Sequence, residues 1–454
     1  MTTFAETTDA QLTDAAEDSS SGPSNAEVSA ADASVVFHSW SKQGGLKPLP
    51  LAGGRGTTVW DHDGNHYLDF SGQLVFTNMG HQHPKIIAGI TEQLSKITTV
   101  APAHGNATRA EAARLILQRA PEGFEKVFFT AGGADANENA IRMARLVTGR
   151  NKVLSRYRSY HGNTGSAIVA TGDWRRIPNE YATGHVHFFG PFLYRSEFWA
   201  GSEAEECARA LHHLERTVQA EGPESIAAIL LESVPGTAGI MVPPPGYLSG
   251  VRALCDRYGI LLILDEVMAG FGRTGEWFAL DAHDVRPDLI TFAKGVNSGY
   301  VPVGGVIISS EIAHAFDDRI FPGGLTYSGH PLAAASIVAT QKAMAEEGAV
   351  ENAKRVGRDL LAPGLAALAE KHEVIGEVRG TGVFWALELV ADRGTREPLP
   401  AATVAGLKSD IIGRGMLPFA VDNRIHVVPP LNVSDDEVAQ ALEIYDEAFT
   451  AFRP

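Results

Sequence analysis

The chain has 454 residues, 54 of them acidic and 38 basic, and its net charge of −16 argues against nucleic acid or an anionic membrane as partner. Its two cysteines, Cys207 and Cys255, are too few for a disulfide framework and lack metal-ligand spacing, so we expect small buried side chains. No apolar stretch approaches the ~20 residues of a membrane span and no secretion pattern is present, which together predict a cytoplasmic protein.

The first segments of the chain differ from the rest in composition. Residues 1–33 are rich in Ala, Ser, Thr, Asp and Glu and contain no Lys or Arg, which predicts a disordered or loosely docked N-terminal arm. Residues 34–75 are expected to form the N-terminal part of a small domain, with a hairpin over residues 58–70 that turns at Asp63 and Gly64. His81 and His83 alternate without further ligands, so no metal site is predicted.

Residues 76–340 alternate between short apolar runs and amphipathic helical patterns, which is typical of a large α/β domain. The strand candidates are residues 126–129, 152–154, 167–170, 185–189, 227–231, 260–264, 289–293 and 305–308. Because these runs are continuously apolar, they predict a largely parallel sheet covered on both faces. Residues 341–454 carry the strand candidates 382–389 and 424–428 between helical stretches and are expected to form the C-terminal small domain, of α+β type.

Two of these strand candidates lead into residues with complementary chemistry. Asp265 directly follows the run 260–264. Lys294, which lies 29 residues later, directly follows the run 289–293. A lysine amine can condense with the aldehyde of pyridoxal phosphate, and an aspartate can keep the pyridine nitrogen protonated so that the ring accepts electrons. Either residue alone is more often an ordinary edge residue, but the pair together favours a pyridoxal phosphate enzyme.

A glycine-rich segment predicts where a phosphate group would bind. Residues 128–137 run from a strand through Gly132 and Gly133 into a helix. The two glycines allow backbone N–H groups to approach an anion, and the helix dipole favours negative charge there. A purely structural strand-to-helix turn is the alternative. Tyr160 and His161 follow the strand 152–154, where an aromatic ring can stack on a pyridine ring or simply join the core.

With these residues in view, the chain resembles the class III (omega) aminotransferases, which have the fold type I of pyridoxal phosphate enzymes. The segments that carry the resemblance are residues 265–275, 292–295, 302–305 and 326–331. Residues 132–139 and 293–300 look most like aminotransferases of the taurine or β-alanine:pyruvate type. The resemblance spans roughly residues 35–450 and implies a large domain with a mostly parallel seven-stranded sheet, plus a smaller α+β domain from N- and C-terminal segments.

The resemblance implies roles at matching positions. Lys294 would bind pyridoxal 5′-phosphate covalently and then shuttle the substrate proton, while Asp265 would pair with the pyridinium nitrogen. Val267 would lie beneath the ring and Tyr160 above it. Thr326 would contact the phosphate in the other subunit, which implies a homodimer with shared active sites. The other positions expected to bind the cofactor are Gly132, Gly133, Ala134, His161, Glu232 and Met268.

Two positions depart from the family pattern around the cofactor. Position 268 is often glutamine, which hydrogen-bonds the 3′-oxygen of the cofactor, but here it is Met268, so that contact must come from elsewhere or be absent. The phosphate loop is often Ser-Gly-Thr, whereas this chain has Gly132, Gly133 and Ala134. The loss of two hydroxyl groups shifts phosphate binding onto backbone N–H groups.

The substrate residues are less determined by the pattern. Family members acting on amino acids often carry an arginine before Pro-Pro, for a bidentate carboxylate clamp, and His426 holds that place here. Arg424 would point to the same face of a strand and could meet an anionic group or form a structural ion pair. Glu232, the usual partner of such an arginine, is present. Further residues at the expected substrate entrance, with core packing as the alternative, are Trp60, Leu74 and Phe76.

The expected function is therefore transfer of an amino group by a ping-pong mechanism. The donor would be an omega-amino acid or amine such as taurine or β-alanine, and the acceptor a keto acid, pyruvate first and 2-oxoglutarate second. Decarboxylases, racemases and aminomutases share this fold and lysine, so they remain alternatives. A nicotinamide dehydrogenase is disfavoured because no strand is followed by Gly-x-Gly-x-x-Gly. A non-catalytic regulator is disfavoured because no basic face accompanies the site.

Overall fold

The computed structural model describes residues 22–180 and 182–453, which form two compact units. The smaller unit comprises residues 22–54 and 58–67, and the larger unit comprises residues 55–57 and 68–453. The predicted domain limits at residues 33, 75 and 340 remain predictions. Residues 1–21 of the predicted N-terminal arm lie outside the described residues.

The smaller unit contains one helix and a short hairpin. Helix α1 (Asn25–Val35) begins with a capping box between Ser24 and Glu27 and buries none of its residues. Strands β1 (Leu51–Arg55), β2 (Thr58–Asp61) and β3 (His66–Asp69) follow it. The β2–β3 turn contains Gly64 at φ 82°, and the backbone N–H of Asn25 donates to Asp63 Oδ1 over 3.0 Å. The predicted hairpin is therefore present, with the start of α1 tied to its turn.

A seven-stranded sheet forms the centre of the larger unit. Its spatial order is β4-β10-β9-β8-β7-β5-β6, and only β10 runs antiparallel to its neighbours. This confirms the predicted mostly parallel sheet. The strands are β4 (Phe124–Thr130), β5 (Lys152–Arg156), β6 (His185–Phe188), β7 (Ile226–Glu232), β8 (Leu261–Asp265), β9 (Leu289–Phe292) and β10 (Gly304–Ser309).

Helices cover this sheet, which explains its continuously apolar strands. All seven residues of β7 are buried, as expected for a strand with protein on both faces. Helix α5 packs against β7, β9 and β10, and α10 packs against α3 and α4. The helices are α2 (Gly72–Val75), α3 (Pro84–Leu94), α4 (Ala107–Leu117), α5 (Gly133–Thr148), α6 (Gly165–Ala170), α7 (Glu203–Glu221), α8 (Tyr247–Tyr258), α9 (Ser310–His314) and α10 (Pro331–Glu346).

One predicted strand is wrong. Residues 167–170 belong to helix α6, in which five of the six residues are buried. A short run that is apolar on all sides has no periodicity to separate a buried helix from a buried strand. The helix is stabilised from outside its own segment, because Glu138 of α5 accepts hydrogen bonds from the backbone N–H groups of Ser166 and Ala167 over 2.7 and 3.1 Å.

The C-terminal part of the larger unit adds a second sheet. Its order is β11-β12-β16-β15, and the short β13 pairs with β12. The strands are β11 (Ile375–Thr381), β12 (Phe384–Asp392), β13 (Glu397–Pro398), β14 (Met416–Leu417), β15 (Phe419–Val421) and β16 (Arg424–Val427). The helices are α11 (Ala349–Val356), α12 (Ala362–Lys371), α13 (Ala401–Gly413) and α14 (Asp435–Ala451). Strand β14 runs parallel to Leu68 and Asp69.

Two sequence expectations concern single features of the chain. Cys207 and Cys255 are both buried and unpaired, as predicted for small core side chains. Within residues 22–180 and 182–453, no helix combines the length and the apolar character that a bilayer crossing requires.

Candidate active site

A cavity of about 420 Å³ opens where four parallel strands of the large sheet end. Its walls come from the segments that follow β5, β7, β8 and β9, and from the start of α5. The carboxyl ends of parallel strands meet at one edge of a sheet, which is where ligands bind in α/β proteins. The structure therefore brings side chains that are more than a hundred residues apart into one crevice.

Asp265 is the best-anchored acid in this cavity. It is the last residue of β8, is 3 % exposed, and lies opposite Glu232 of β7 in the sheet register. Its Oδ2 accepts hydrogen bonds from Asn137 Nδ2 at 2.7 Å and pairs with His161 Nδ1 at 2.8 Å. Its Oδ1 accepts from the backbone N–H of Val267 at 3.0 Å. These contacts fix the orientation of the Asp265 side chain, so that its acid group can pair with a cation in the cavity.

Lys294 enters the same cavity from the next strand. It opens a 3-10 turn, Lys294–Asn297, two residues after β9 ends at Phe292. Its φ of 47° lies in the left-handed region, which costs a residue with a side chain about 1–3 kcal/mol and is typical of functional sites. Burial lowers the pKa of the Lys294 amine, while the charges of Asp265 and Glu232 raise it. A lowered pKa makes the neutral, nucleophilic amine more available.

The start of α5 provides backbone N–H groups without a side-chain cap. The helix follows Gly132 and has no capping hydrogen bond from a side chain. A Cβ on Gly133 would lie 2.8 Å from Val267 Cγ1, so only glycine fits beside that valine. Gly162, at φ 132°, approaches Ala134 so closely that a Cβ would lie 2.4 Å from the alanine Cβ. The resulting open helix terminus is suited to an anion.

Tyr160 and Glu232 form a second wall of the cavity. The backbone N–H of Tyr160 donates to Glu232 Oε1 over 3.1 Å, and that of Gly236 donates to Oε2 over 2.8 Å. Burial raises the pKa of Glu232. The guanidinium carbon of Arg175 lies 3.9 Å from the centroid of the Tyr160 ring, a cation–π contact that restricts the orientation of that ring.

Most residues expected to bind the cofactor lie in this one cavity. Its lining includes Gly132, Gly133, Ala134, Tyr160, His161, Glu232, Asp265, Val267, Met268 and Lys294. Thr326 is not part of this lining and is exposed, in a segment that also exposes Ile320 and Tyr327 at 88 % and 71 %. Its predicted contact would lie in a second subunit, so its role stays a prediction.

The substrate candidates are divided. Phe76 lines the cavity, whereas Leu74 is 40 % exposed and does not. Trp60 belongs to the smaller unit, where its ring centroid lies 5.7 Å from that of His66. Arg424 and His426 are buried in β16 and are not part of the lining. The roles of these five residues in substrate binding remain predictions.

Arg424 and His426 nevertheless have informative surroundings. Arg424 Nη2 forms an ion pair with Asp422 Oδ2 at 2.6 Å, which is the structural alternative weighed from the sequence. The His426 ring packs edge-on against Phe419 with centroids 4.9 Å apart. Both ring nitrogens of His426 are buried without a hydrogen-bond partner among the described residues. Burial lowers the pKa of His426 well below its usual value, so the ring is neutral.

The sequence did not identify the part that Asn137 takes in the site. Asn137 lies in the glycine-rich segment, but nothing in the pattern distinguishes it from other residues of α5. In the fold its Nδ2 also donates to the backbone oxygen of His161 over 2.8 Å, and its Oδ1 accepts from Thr291 Oγ1 over 2.7 Å. A polar residue on the buried face of a helix was the one available indication, because buried amides need partners.

The cavity fits pyridoxal 5′-phosphate by its chemistry. The open start of α5 suits a phosphate, and the anchored carboxylate of Asp265 suits a protonated ring nitrogen. Lys294 supplies the amine that an aldehyde requires, and Val267 and Tyr160 offer surfaces for the two faces of a ring. His161 Nε2, buried without a partner among the described residues, marks an additional polar atom beside the ring position. No residue of the set conflicts with the group.

Comparisons with known proteins agree with this fit. The family model for "Aminotransferase class-III" matches residues 41–449. A taurine–pyruvate aminotransferase of Rhodobacter capsulatus is 33% identical over 93% of this chain and 96% of its own length. The structure of a taurine:2-oxoglutarate aminotransferase from Bifidobacterium kashiwanohense, in complex with PLP and glutamate, superposes with a TM-score of 0.92. It is 43% identical and covers 95% of this chain and 98% of its own.

A further solved structure extends the likeness. An (S)-enantioselective omega-transaminase from Thermomicrobium roseum has a TM-score of 0.89 and is 36% identical, covering 96% of this chain and all of its own, 100%. Each of these three relatives matches at least 93% of this chain and at least 96% of its own length, so the likeness is not confined to one shared domain.

Proposed function

Because the chain belongs to the class-III aminotransferases, we propose that it transfers the amino group of an omega-amino acid or amine to a keto acid. Two relatives are named for taurine as donor, one with pyruvate and one with 2-oxoglutarate as acceptor. We propose taurine or a similar compound such as β-alanine as the donor, and pyruvate or 2-oxoglutarate as the acceptor. The observation that carries this proposal is the meeting of Lys294, Asp265 and the uncapped start of α5 in one cavity.

Enzymes of this family depend on pyridoxal 5′-phosphate, which, when bound, supplies a reactive aldehyde carbon and an electron-accepting ring. The chain's own residues do the rest. Lys294 Nζ, with its pKa lowered by burial, accepts the proton from the amine-bearing carbon of the donor and returns one in the acceptor half of the cycle. Asn137 and Val267 donate hydrogen bonds to Asp265 and hold its side chain where it can stabilise positive charge at the ring position.

The substrate must reach this centre through the open side of the cavity. Phe76 and Met268 give that side an apolar lining, while Glu232 contributes a buried acid. Such a lining excludes water from the reacting carbon, which strengthens the electrostatic effect of Asp265 and Lys294. The proposal therefore assigns proton transfer to Lys294 and charge stabilisation to Asp265.

We also propose a cytoplasmic homodimer. The exposed segment around Thr326 contains large apolar side chains, Ile320 and Tyr327, that a partner subunit would cover. Thr326 would then meet the phosphate in the partner's cavity. Sedimentation of the holoenzyme at several concentrations tests this: dimers are expected throughout, and a monomer with full activity would contradict it.

One experiment tests the reaction itself. The holoenzyme is titrated with taurine, β-alanine, 4-aminobutyrate, ornithine and alanine, and loss of the visible band of the lysine-bound cofactor is followed. An omega-amino compound is expected to bleach the band, and added pyruvate or 2-oxoglutarate to restore it with stoichiometric consumption. Bleaching by the α-amino acid alone would contradict the donor assignment. Turnover without any keto acid would point to a racemase or an aminomutase.

A further inference from the structure

A cluster of four arginines lies beside the active-site cavity, and we define it by Arg156, Arg158, Arg379 and Arg424. Electrostatic interactions connect Arg158 to each of the other three. Arg158 and Arg379 also share one aromatic ring, since their guanidinium carbons lie 4.4 and 5.0 Å from the centroid of Phe192. So much positive charge in one place requires acidic partners or a bound anion.

Three of the four arginines have partners within the fold. Arg379 Nη2 donates to Glu388 Oε2 over 2.6 Å, and its Nε donates to a backbone oxygen over 2.6 Å. Arg424 is paired with Asp422 at 2.6 Å. The Arg156 Nε donates to the backbone oxygen of Tyr157 over 3.2 Å. These contacts lie within the fold, and they leave one arginine of the cluster without a hydrogen bond or an ion pair.

Arg158 is that arginine. Its guanidinium makes no hydrogen bond and no ion pair to any residue in the described part of the chain. It is half-buried, and burial together with the charges of Arg424 and Arg156 lowers its pKa to about 10. Its backbone is held at φ 61°, in the left-handed region that non-glycine residues rarely adopt. The charge of Glu388 acts in the opposite direction, but Glu388 forms no ion pair with Arg158. A strained, half-buried cation without an ion pair of its own is costly unless a ligand binds it.

Two chain segments place this cluster at the cavity. Arg158 lies two residues before Tyr160, whose ring lines the cavity. Thr237 also lines it, and two residues later Gly239 touches the cluster, since a Cβ there would lie 2.8 Å from Arg424 Cδ. The Nε of Arg424 is itself buried without a partner among the described residues. None of the four arginines is itself part of the cavity lining, but the chain segments of Tyr160 and Thr237 connect the cluster to the cavity.

We propose that Arg158, supported by Arg424, binds the acid group of the substrate, a sulfonate or a carboxylate. This inference rests on the proposed function and names its specificity determinant. The guanidinium of Arg158 has five N–H donors in a planar fork that matches two oxygens of either acid. Arg424 is paired with Asp422, so the guanidinium of Arg158 is the one that remains available to bind the acid group. His426 is neutral and therefore adds no charge of its own beside the bound acid group.

A binding experiment tests the site without any turnover. Calorimetry on the holoenzyme measures the affinity for 2-hydroxyethanesulfonate and for 3-hydroxypropionate, which carry the acid groups of taurine and β-alanine but no amine. Wild type is expected to bind one or both, and Arg158→Gln to bind at least about tenfold more weakly, because a charge-assisted hydrogen bond is lost. Failure of the wild type to bind either probe, or equal affinity of the variant, would overturn the proposal.

Kinetics then separate specificity from structure. For taurine or β-alanine, Arg158→Gln is expected to raise KM about 10- to 100-fold with little change in kcat. For propylamine, which has no acid group, kcat/KM should stay within about twofold. Equal losses with acidic and neutral amines would show a structural role and refute the assignment. Arg158→Lys keeps the charge without the fork and is expected to give an intermediate KM.

A substitution at an exposed arginine is the matched control, and the combined results can contradict either proposal separately. Arg216 is exposed on α7 and bonds only Gln219, so Arg216→Gln should leave probe binding and KM unchanged. If the wild type transaminates none of the omega-amino donors yet binds the acid probes through Arg158, the proposed function fails and the acid site stands. If the donors react but Arg158→Gln prefers acidic donors over propylamine as strongly as wild type does, the proposed function stands and the role given to Arg158 is wrong.

Discussion

The side-chain amide of Asn137 links two strands of the active-site edge, because its Nδ2 lies 2.7 Å from Asp265 Oδ2 and its Oδ1 lies 2.7 Å from Thr291 Oγ1. All three residues are buried, so each of these polar atoms needs its partner. Asn137 thereby sets the orientation of the acid from a helix, although the acid itself belongs to a strand.

Asn137→Leu removes all three hydrogen bonds of this side chain and keeps its number of heavy atoms. Because Asp265 then loses a donor that orients its side chain, we expect the cofactor to bind about 10- to 100-fold more weakly, with kcat falling as well. Equilibrium dialysis against pyridoxal 5′-phosphate measures this. Asn139→Leu changes a buried neighbour on the same helix, whose amide donates only to the backbone oxygen of Asp135, and should leave the affinity unchanged. Equal effects of the two changes would contradict the role given to Asn137.

Lys294→Ala should abolish turnover while leaving the fold intact. The amine both binds the cofactor and moves the proton, and loss of general acid–base catalysis alone costs about 10²–10⁴ in rate. Borohydride treatment followed by peptide mass spectrometry should label residue 294 in the wild type and no lysine in the variant. Lys408→Ala, a change at an exposed lysine on α13, is the control. A label on another lysine would disprove the assignment.

Gly133→Ala tests the closeness of the phosphate loop to Val267. A Cβ at position 133 would come within 2.8 Å of Val267 Cγ1, and overpacking of this kind costs about 1–3 kcal/mol. We expect cofactor affinity to fall roughly tenfold as the valine moves. A Cβ at the adjacent Gly132 meets nothing within 4 Å, so Gly132→Ala should have a much smaller effect. The reverse order of the two effects would exclude this packing explanation.

Glu266 should make thermal stability depend on pH. Burial raises its pKa to about 7, although it accepts hydrogen bonds from the backbone N–H groups of Ala279 and Leu280 over 3.0 and 2.8 Å. A raised pKa means that the folded state binds the proton more tightly than the unfolded state. The stabilisation is therefore present below the unfolded pKa, near 4.3, and is lost as the pH rises toward about 7.

Glu266→Gln replaces the titrating carboxyl group with a neutral amide. As the pH is raised from 5 to 7.5, the wild type should lose ~3 kcal/mol of stability that the variant does not lose. The thermal midpoint of the variant should therefore rise relative to that of wild type. Differential scanning calorimetry of the holoenzyme at both pH values measures the change. A difference between wild type and Glu266→Gln that is constant with pH would contradict the prediction.

The sequence was sufficient for those features that depend on local order along the chain. Asp265 and the strand that carries it could be located because the strand is continuously apolar and ends in a charge. Gly132 and Gly133 could be located because glycine between a strand and a helix allows the backbone to approach a ligand more closely than other residues do. Residues 167–170 could not be assigned correctly, since their helix depends on Glu138, which is close only in the folded chain.

What the sequence by itself determined is the class of chemistry, because a lysine and an aspartate at strand ends and a glycine-rich helix start are recognisable wherever the strands lie. Only the tertiary structure decided how these groups are supported. Asn137 and His161 contact Asp265, Arg424 forms an ion pair with Asp422, and Arg158 has no ion pair in the described part of the chain. The physical reason is that hydrogen bonds and ion pairs act over a few ångströms in space, and the linear order of residues does not contain those distances.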